Sequence, residues 1–362
     1  MTFTPLKYKA KIPTDFFKIL KDRIDNYFIV TNKLRFADHR MYLKTLVMLF
    51  TYFIPFYFIV FENIQNTLLY LILWSIMGVF MAGIGLSIMH DAIHGSYSKH
   101  KFINKILGEV INFVGGASIN WKIQHNVLHH TYTNIEEYDH DLDAPWILRF
   151  SPNQKKLKLH KYQYIYAWLI YCLLTLNWAT YKDFDSILKY KKMGLIGGGK
   201  NQFAIELTKI ILTKIIYFTF ILFLPLYFGS ASTVIVLTGF LIMHLIAGFI
   251  LSCIFQPAHV MEVCEFPTAD IDNIIKEDWA THQILNTVNF APKNKLISWF
   301  AGGLNFQIEH HLFPNICHIH YKDISKIVEQ TAKEHGLPYF VCPTFRSALF
   351  RHGKMLKKLG AS

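Results

Sequence analysis

Two long stretches of the chain carry no Lys or Arg, one between Lys44 and Lys99 and the other between Lys214 and Lys276. Both are dominated by Leu, Ile, Phe and Val. A helix needs about 20 largely apolar residues to cross a hydrocarbon layer roughly 30 Å thick, and each stretch holds two such runs. The pattern predicts spanning helices at 43–61 and 67–89, then at 210–228 and 233–255. Only residues 62–66 and 229–232 separate the members of each pair. Each pair is therefore expected to fold as a hairpin with a short loop.

Neither short loop contains Lys or Arg, so every basic residue falls on the opposite side, which the positive-inside rule identifies as cytoplasmic. On this reading residues 1–42, 90–209 and 256–362 are cytoplasmic, both termini are inside, and 1–362 form one membrane domain. The first 40 residues are mixed and charged, unlike a secretory signal. The hairpins are then expected to target the chain.

The uncharged stretch 162–181 could pass for a fifth span. Tyr and Trp occur throughout it (Tyr162, Tyr164, Tyr166, Trp168, Tyr171, Trp178, Tyr181), whereas spanning helices concentrate these rings at their ends. A span here would also carry Lys182, Lys189, Lys191, Lys192 and Lys200 outside. A helix lying in the interface is predicted instead. Residues 102–114 place Phe102, Ile103, Ile106, Leu107, Val110 and Ile111 on one face, a second in-plane amphipathic helix. The tracts 134–143 and 194–201 read as loops, and no internal repeat is visible.

Composition agrees with a membrane protein: 52% of residues are hydrophobic, too many for an ordinary soluble domain of this length. The net charge of +12 (Lys+Arg 37, Asp+Glu 25) would in isolation fit nucleic acid, anionic lipid or membrane topology. Its one-sided distribution assigns it to topology, and no nucleic-acid partner is expected. The five cysteines form no C-x-x-C pair and read as reduced thiols.

Three clusters stand out among 18 histidines: His90-Asp91-Ala92-Ile93-His94, His125-Asn126-Val127-Leu128-His129-His130, and Gln307-Ile308-Glu309-His310-His311. All fall on the same side in a topology built without them. Helical residues four apart lie one turn apart on one face, so His90 with His94, and His125 with His129, can each direct two imidazoles into one cavity. His130, about 100° further round than His129, suits a second, neighbouring metal. Imidazole suits zinc as well as iron, but seven box imidazoles are too many for one tetrahedral zinc.

The boxes HDAIH, HNVLHH and QIEHH, in this order and at these intervals, resemble those of the membrane fatty acid desaturases over roughly residues 45–339. Gln307 at the head of the third box resembles the front-end (delta-5/delta-6) branch and the bacterial linoleoyl-CoA desaturases. The resemblance implies an all-α integral membrane protein: four spans in two hairpins, with a cytoplasmic helical cap holding a non-haem di-iron site. It implies iron ligands His90, His94, His125, His129, His130, His259, His310 and His311, with Gln307 as a weaker ligand. The implied activity is O2-dependent insertion of a cis double bond into an acyl-CoA or acyl-lipid, using two external electrons. No His-Pro-Gly-Gly haem motif occurs in the chain. A separate ferredoxin or cytochrome b5 type donor is then expected, docking on the basic face, and a bacterial plasma membrane is the expected location.

Other polar residues have two readings. Asp91, Glu309 and Asp139 could hold ligand imidazoles from behind, Asp139 alternatively belonging to a solvated loop. His282 is either an orienting partner of a ligand or a core histidine. His318 and His320 read as packing residues at a helix start. His244, inside the fourth span, is either functional or satisfied by a neighbouring helix. The rivals to desaturation are a membrane hydroxylase with the same ligands and a non-enzymatic haem or metal carrier; the latter would need histidines paired within the spans.

Overall fold

The computed structural model describes residues 3–10, 14–144 and 146–362. Among the described residues, four helices are long and apolar enough to cross a membrane: His39–Phe61, Thr67–Ile93, Gln202–Phe228 and Thr233–His259. They contain the four sequence-derived runs and continue past them, by four residues at the start of the first helix, by eight at the start of the third and by four at the end of each of the second and fourth. Each extension carries polar or charged residues, so hydropathy alone stops short of the helix ends. Asp38 caps the first helix by accepting from the Arg40 N–H at 2.9 Å, and Asn66 caps the second through the Leu69 N–H at 3.0 Å.

The second long helix packs against both the first and the fourth. Small residues allow the close crossing of the second and fourth: a Cβ on Gly78 would sit 2.6 Å from the Met243 carbonyl oxygen, and one on Gly239 would run into Trp74. Outward-facing Leu46, Phe50, Ile54, Tyr57, Ile215, Ile216, Leu237 and Leu241 remain exposed on the bundle. That is the surface an apolar solvent requires.

The aromatic stretch is not among the four long apolar helices. It forms a bent helical rod from Gln163–Cys172 through Leu174–Asn177 and a π-helical turn at Trp178–Lys182 to Asp183–Met193, lying along the fourth long helix. Ala167, Tyr171 and Thr175 are buried, while Ile165 and Leu169 are exposed. The amphipathic stretch differs from expectation in one respect. Its α-helix Lys101–Gly108 tightens to a 3-10 helix at Glu109–Val114, which turns Ile111 and Val114 into the core and leaves Phe102, Ile103 and Ile106 outside.

The expected all-α class needs a small correction. Two parallel two-residue strand pairs occur, Lys7–Tyr8 with Ile274–Ile275 and Asn289–Phe290 with Val341–Cys342. They are too short to leave a period-2 signature. A second core lies apart from the long helices, where Phe16–Val30 packs Leu20 and Ile24 against Ile324 and Val328 of Tyr321–Glu334. All five cysteines are free thiols.

One buried ion pair fixes the third long helix to the rod. Lys214 Nζ donates to Asp183 Oδ2 at 2.5 Å, and also to the carbonyls of Trp178 (2.7 Å) and Gly115 (2.5 Å). Lys214→Met strands the Asp183 charge and should cost about 3–5 kcal/mol, read as a lower midpoint in thermal unfolding of the detergent-solubilised protein. The double variant Lys214→Met, Asp183→Leu should recover part of the loss; equal midpoints for wild type and Lys214→Met would contradict this.

Candidate metal centre

The three histidine boxes meet where the second and fourth long helices end. Six π-helical residues, Ile84–Met89, lead into His90, and the second box lies on the π-helix Lys122–His129 with His130 following. In a π-helix the hydrogen-bond repeat is i to i+5, so His130 falls one turn after His125 rather than off to one side. The two Nε2 atoms are 3.3 Å apart. The third box lies on the short helix Gln307–Leu312, behind a turn in which Gly302 and Gly303 have φ of 60° and 67°. A Cβ on Gly302 would collide with the Leu86 carbonyl, so the glycine lets this turn press the third box against the first.

Ring nitrogens of His90, His94, His125 and His310 all lie within 4.8 Å of one another, as do those of His129, His259 and His311. His130 joins the two groups: its Nε2 is 3.0 Å from His310 Nε2, and its ring stacks on His311 with centroids 4.4 Å apart. Gln307, one helical turn before His310, is 1% exposed, and its Nε2 has no partner among the described residues.

The outer nitrogens are engaged from behind. His129 Nδ1 meets Asp139 Oδ1 at 2.9 Å, His311 Nδ1 meets Gln283 Oε1 at 2.8 Å, and His259 Nδ1 meets the Asn286 carbonyl at 3.2 Å. Looser contacts join His125 Nδ1 to Asp141 and His310 Nδ1 to the Tyr321 hydroxyl, each at 3.4 Å. Each leaves Nε2 facing inward, the arrangement that orients metal-ligating imidazoles. Among the described residues, Nε2 of His94, His259 and His311 has no hydrogen-bond partner although buried. Burial, then repulsion from neighbouring imidazoles, holds His94, His130, His310 and His311 well below the ordinary histidine range, and so neutral. Burial also opposes the charge on His129, but the carboxylates of Asp139 and Asp141 outweigh it and raise this histidine to about 9. Eight imidazoles in two touching groups, three of them with an unpartnered Nε2, could hold two metal ions and exceed what one tetrahedral ion takes.

A family model described as fatty acid desaturase matches residues 66–343. The chain belongs to the fatty acid desaturase family. Among its relatives, the sn-1 linoleoyl-lipid 6-desaturase of Synechocystis sp. is 34% identical over 99% of each chain. The acyl-lipid (8-3)-desaturase of Physcomitrium patens is 37% identical over 98% of this chain and 74% of its own length. The Delta(5) fatty acid desaturase A of Dictyostelium discoideum is 32% identical over 96% of this chain and 75% of its own. The protein is thus an oxidoreductase that desaturates fatty acyl chains.

Not every sequence-derived partner lands on a ligand of this desaturase. Asp139 does hold a box histidine, but Asp91 turns away from the boxes. It accepts from His318 Nδ1 at 2.7 Å and from the Cys317 thiol at 3.0 Å, while Lys44 Nζ lies 2.8 Å from His318 Nε2. This buried chain ties the first long helix and the 317–318 segment to the first box, giving His318 a larger part than packing at a helix start. Glu309 takes Asn289 and the Tyr339 hydroxyl instead of an imidazole, and burial raises it to about 7. His282 meets the Thr133 carbonyl at 2.8 Å, and its neighbour Gln283 is the residue that touches His311. His244 is satisfied by Tyr217 at 2.8 Å and Thr175 at 3.0 Å. The sequence pattern singled out neither Gln283 nor Asn286; Gln283 follows His282 on the short helix Trp279–Leu285, Asn286 stands just past its end, and nothing in their types marks them. Asp141 was legible only as part of the acidic tract after the second box.

A cavity of about 830 Å³ adjoins the centre. His129 and His259 reach its wall, which otherwise combines apolar Ile170, Leu173, Leu174 and Phe255 with a polar set around Lys182. A smaller void between Met81, Gly85 and Leu251 shares Trp121, Trp178 and Phe255 with it.

Purified protein should retain two metal ions per chain by elemental analysis. Asp139→Ala, which frees the His129 ring, should weaken metal affinity roughly 10- to 100-fold in a chelator competition. Undiminished affinity would show that Asp139 does not orient a ligand.

Proposed function

We propose that this membrane desaturase is of the front-end type and introduces a cis double bond toward the carboxyl end of an acyl chain borne by a lipid, using two irons bound by His90, His94, His125, His129, His130, His259, His310 and His311. The observation that carries the proposal is the buried eight-imidazole cluster opening onto a largely apolar cavity, together with relatives whose names specify acyl-lipid substrates and 6- or 5-position products. Iron rather than zinc follows from the task, because an unactivated methylene has no acidic proton and must be opened by a redox-active centre. Gln307, buried beside His310, is assigned as a weak ligand or as the holder of a bound water.

Bound iron would supply the reduction of O2, with two electrons and two protons from outside and one hydrogen from each of two adjacent methylenes, giving the alkene and two waters. The protein's own residues do the rest. Asp139, Gln283, Tyr321 and the Asn286 carbonyl keep Nε2 atoms aimed inward. Trp121, which stacks on His125 with centroids 4.9 Å apart, helps Phe255 wall the centre from solvent. The apolar cavity wall takes the acyl chain, and the void beyond Trp121, Trp178 and Phe255 extends the apolar path.

The four long helices form two hairpins in the membrane, with the histidine centre and both termini on the cytoplasmic side of a single membrane domain, a bacterial plasma membrane being the expected setting. The one-sided distribution of basic residues supports this orientation. The exposed apolar faces of 102–106 and of the aromatic rod suit contact with lipid. Electrons come from a separate acidic carrier of the ferredoxin or cytochrome b5 type, drawn to the basic face.

Expression in a host lacking polyunsaturated lipids, with linoleate supplied, should give a new double bond toward the carboxyl end by mass spectrometry of fatty-acid methyl esters. The variant His310→Ala, His311→Ala should give none. A hydroxylated product from the wild type would overturn the reading in favour of a hydroxylase.

A further inference from the structure

We propose that Lys182 and His140 form the subsite that holds the oxygen-bearing carrier end of the acyl substrate, meaning the acyl ester carbonyl or the phosphate beyond it. The inference rests on the desaturase reading and deepens it. Lys182 lines the 830 Å³ cavity on the π-helical turn Trp178–Lys182. Its Nζ lies 5.8 Å from the centroid of the Trp178 ring, and among the described residues it makes no hydrogen bond or ion pair. The neighbouring lysines are used otherwise: Lys189 is paired with Asp143 and Lys214 with Asp183. The carboxylates of the same wall are engaged elsewhere, Asp139 and Asp141 with box histidines, Asp143 with Lys189 and Asp185 with the Tyr181 hydroxyl, so this part-buried ammonium still wants an acceptor.

His140 lines the same cavity and is 3% exposed, yet its Nε2 has no hydrogen-bond partner among the described residues. Its nearest carboxylate, Asp143, is 3.8 Å away, too long for a hydrogen bond, and is already held by Lys189. Burial lowers His140 to about 4, so it is a neutral ring. The Tyr190 hydroxyl lies 3.4 Å from Nδ1, and a neutral ring that accepts there carries its proton on Nε2, which makes that atom a donor. An ammonium and an imidazole N–H both seek acceptor oxygens, and an acyl chain carries these only at its carrier end.

Position adds a second argument. His140 directly follows Asp139, whose carboxylate holds His129. Oxygens anchored at His140 therefore lie close to the metal centre, which places the carbons near the carboxyl end, rather than the methyl end, beside it.

The test uses metal-free, detergent-solubilised full-length protein. Trp121, Trp146 and Trp178 line the cavity and report a dibrominated acyl chain by fluorescence quenching. Dibromostearoyl phosphatidylcholine and dibromostearoyl-CoA serve as separate probes. Saturable quenching by either or both, weakened at least tenfold in Lys182→Met and in His140→Phe and restored in Lys182→Arg, supports the subsite. The more effective probe shows whether the oxygens belong to a glycerolipid or to the CoA thioester. Equal quenching midpoints in wild type and Lys182→Met, or no saturable quenching of the wild type by either probe, overturn it. In membranes the variants should raise KM at least tenfold, with kcat changed less. Variants with wild-type KM, in a preparation whose wild type forms the alkene, sink the subsite and leave the desaturase reading standing; a wild type that binds both probes and forms no alkene does the reverse.

Discussion

Eight imidazoles packed in two touching groups, seven of them buried, set the terms for everything around them. A buried nitrogen left without a partner costs about 1–3 kcal/mol, and Nε2 of His94, His259 and His311 is left in that state. Without metal such a centre is a local weakness held in place by the surrounding fold. Bound metal removes the penalty and converts it into folding free energy.

The surrounding structure is arranged to hold that unfavourable cluster. The π-helical stretches before His90 and through the second box change the angular spacing so that His125 and His130 converge. The turn at Gly302 and Gly303 brings the third box onto Leu86, and the buried chain of Lys44, His318 and Asp91 ties the first long helix to the first box from its far side. These devices lie on different segments, so the centre cannot assemble until the long helices and the C-terminal portion have packed. The same packing leaves the cavity that His129 and His259 line beside the centre.

Much of this was legible in the sequence, for a reason that also marks the limit. Spans are dictated by solvent: the absence of Lys and Arg over two long stretches is a strong local signal, and all four helices contain the predicted runs. The histidine boxes are likewise local, and their side chains do converge. What stayed hidden depends on contacts between distant segments. Asp91 looked like a partner for its own box and instead serves His318, more than 200 positions away. Gln283 supports His311, although the local pattern marks only its neighbour His282. The periodicity of 102–114 predicts one continuous apolar face, whereas a switch to 3-10 geometry at Glu109 divides it. Helix type at that resolution is set by packing, which periodicity does not encode.

The central claim is that this centre removes two hydrogens from an acyl chain and sends both oxygen atoms of O2 to water. A reaction of the iron-loaded, donor-supplied enzyme under ¹⁸O2, analysed by mass spectrometry, tests it most directly. The account predicts a product two mass units lighter than the substrate and free of ¹⁸O, with the label recovered in water. A product carrying one ¹⁸O as a hydroxyl would contradict it.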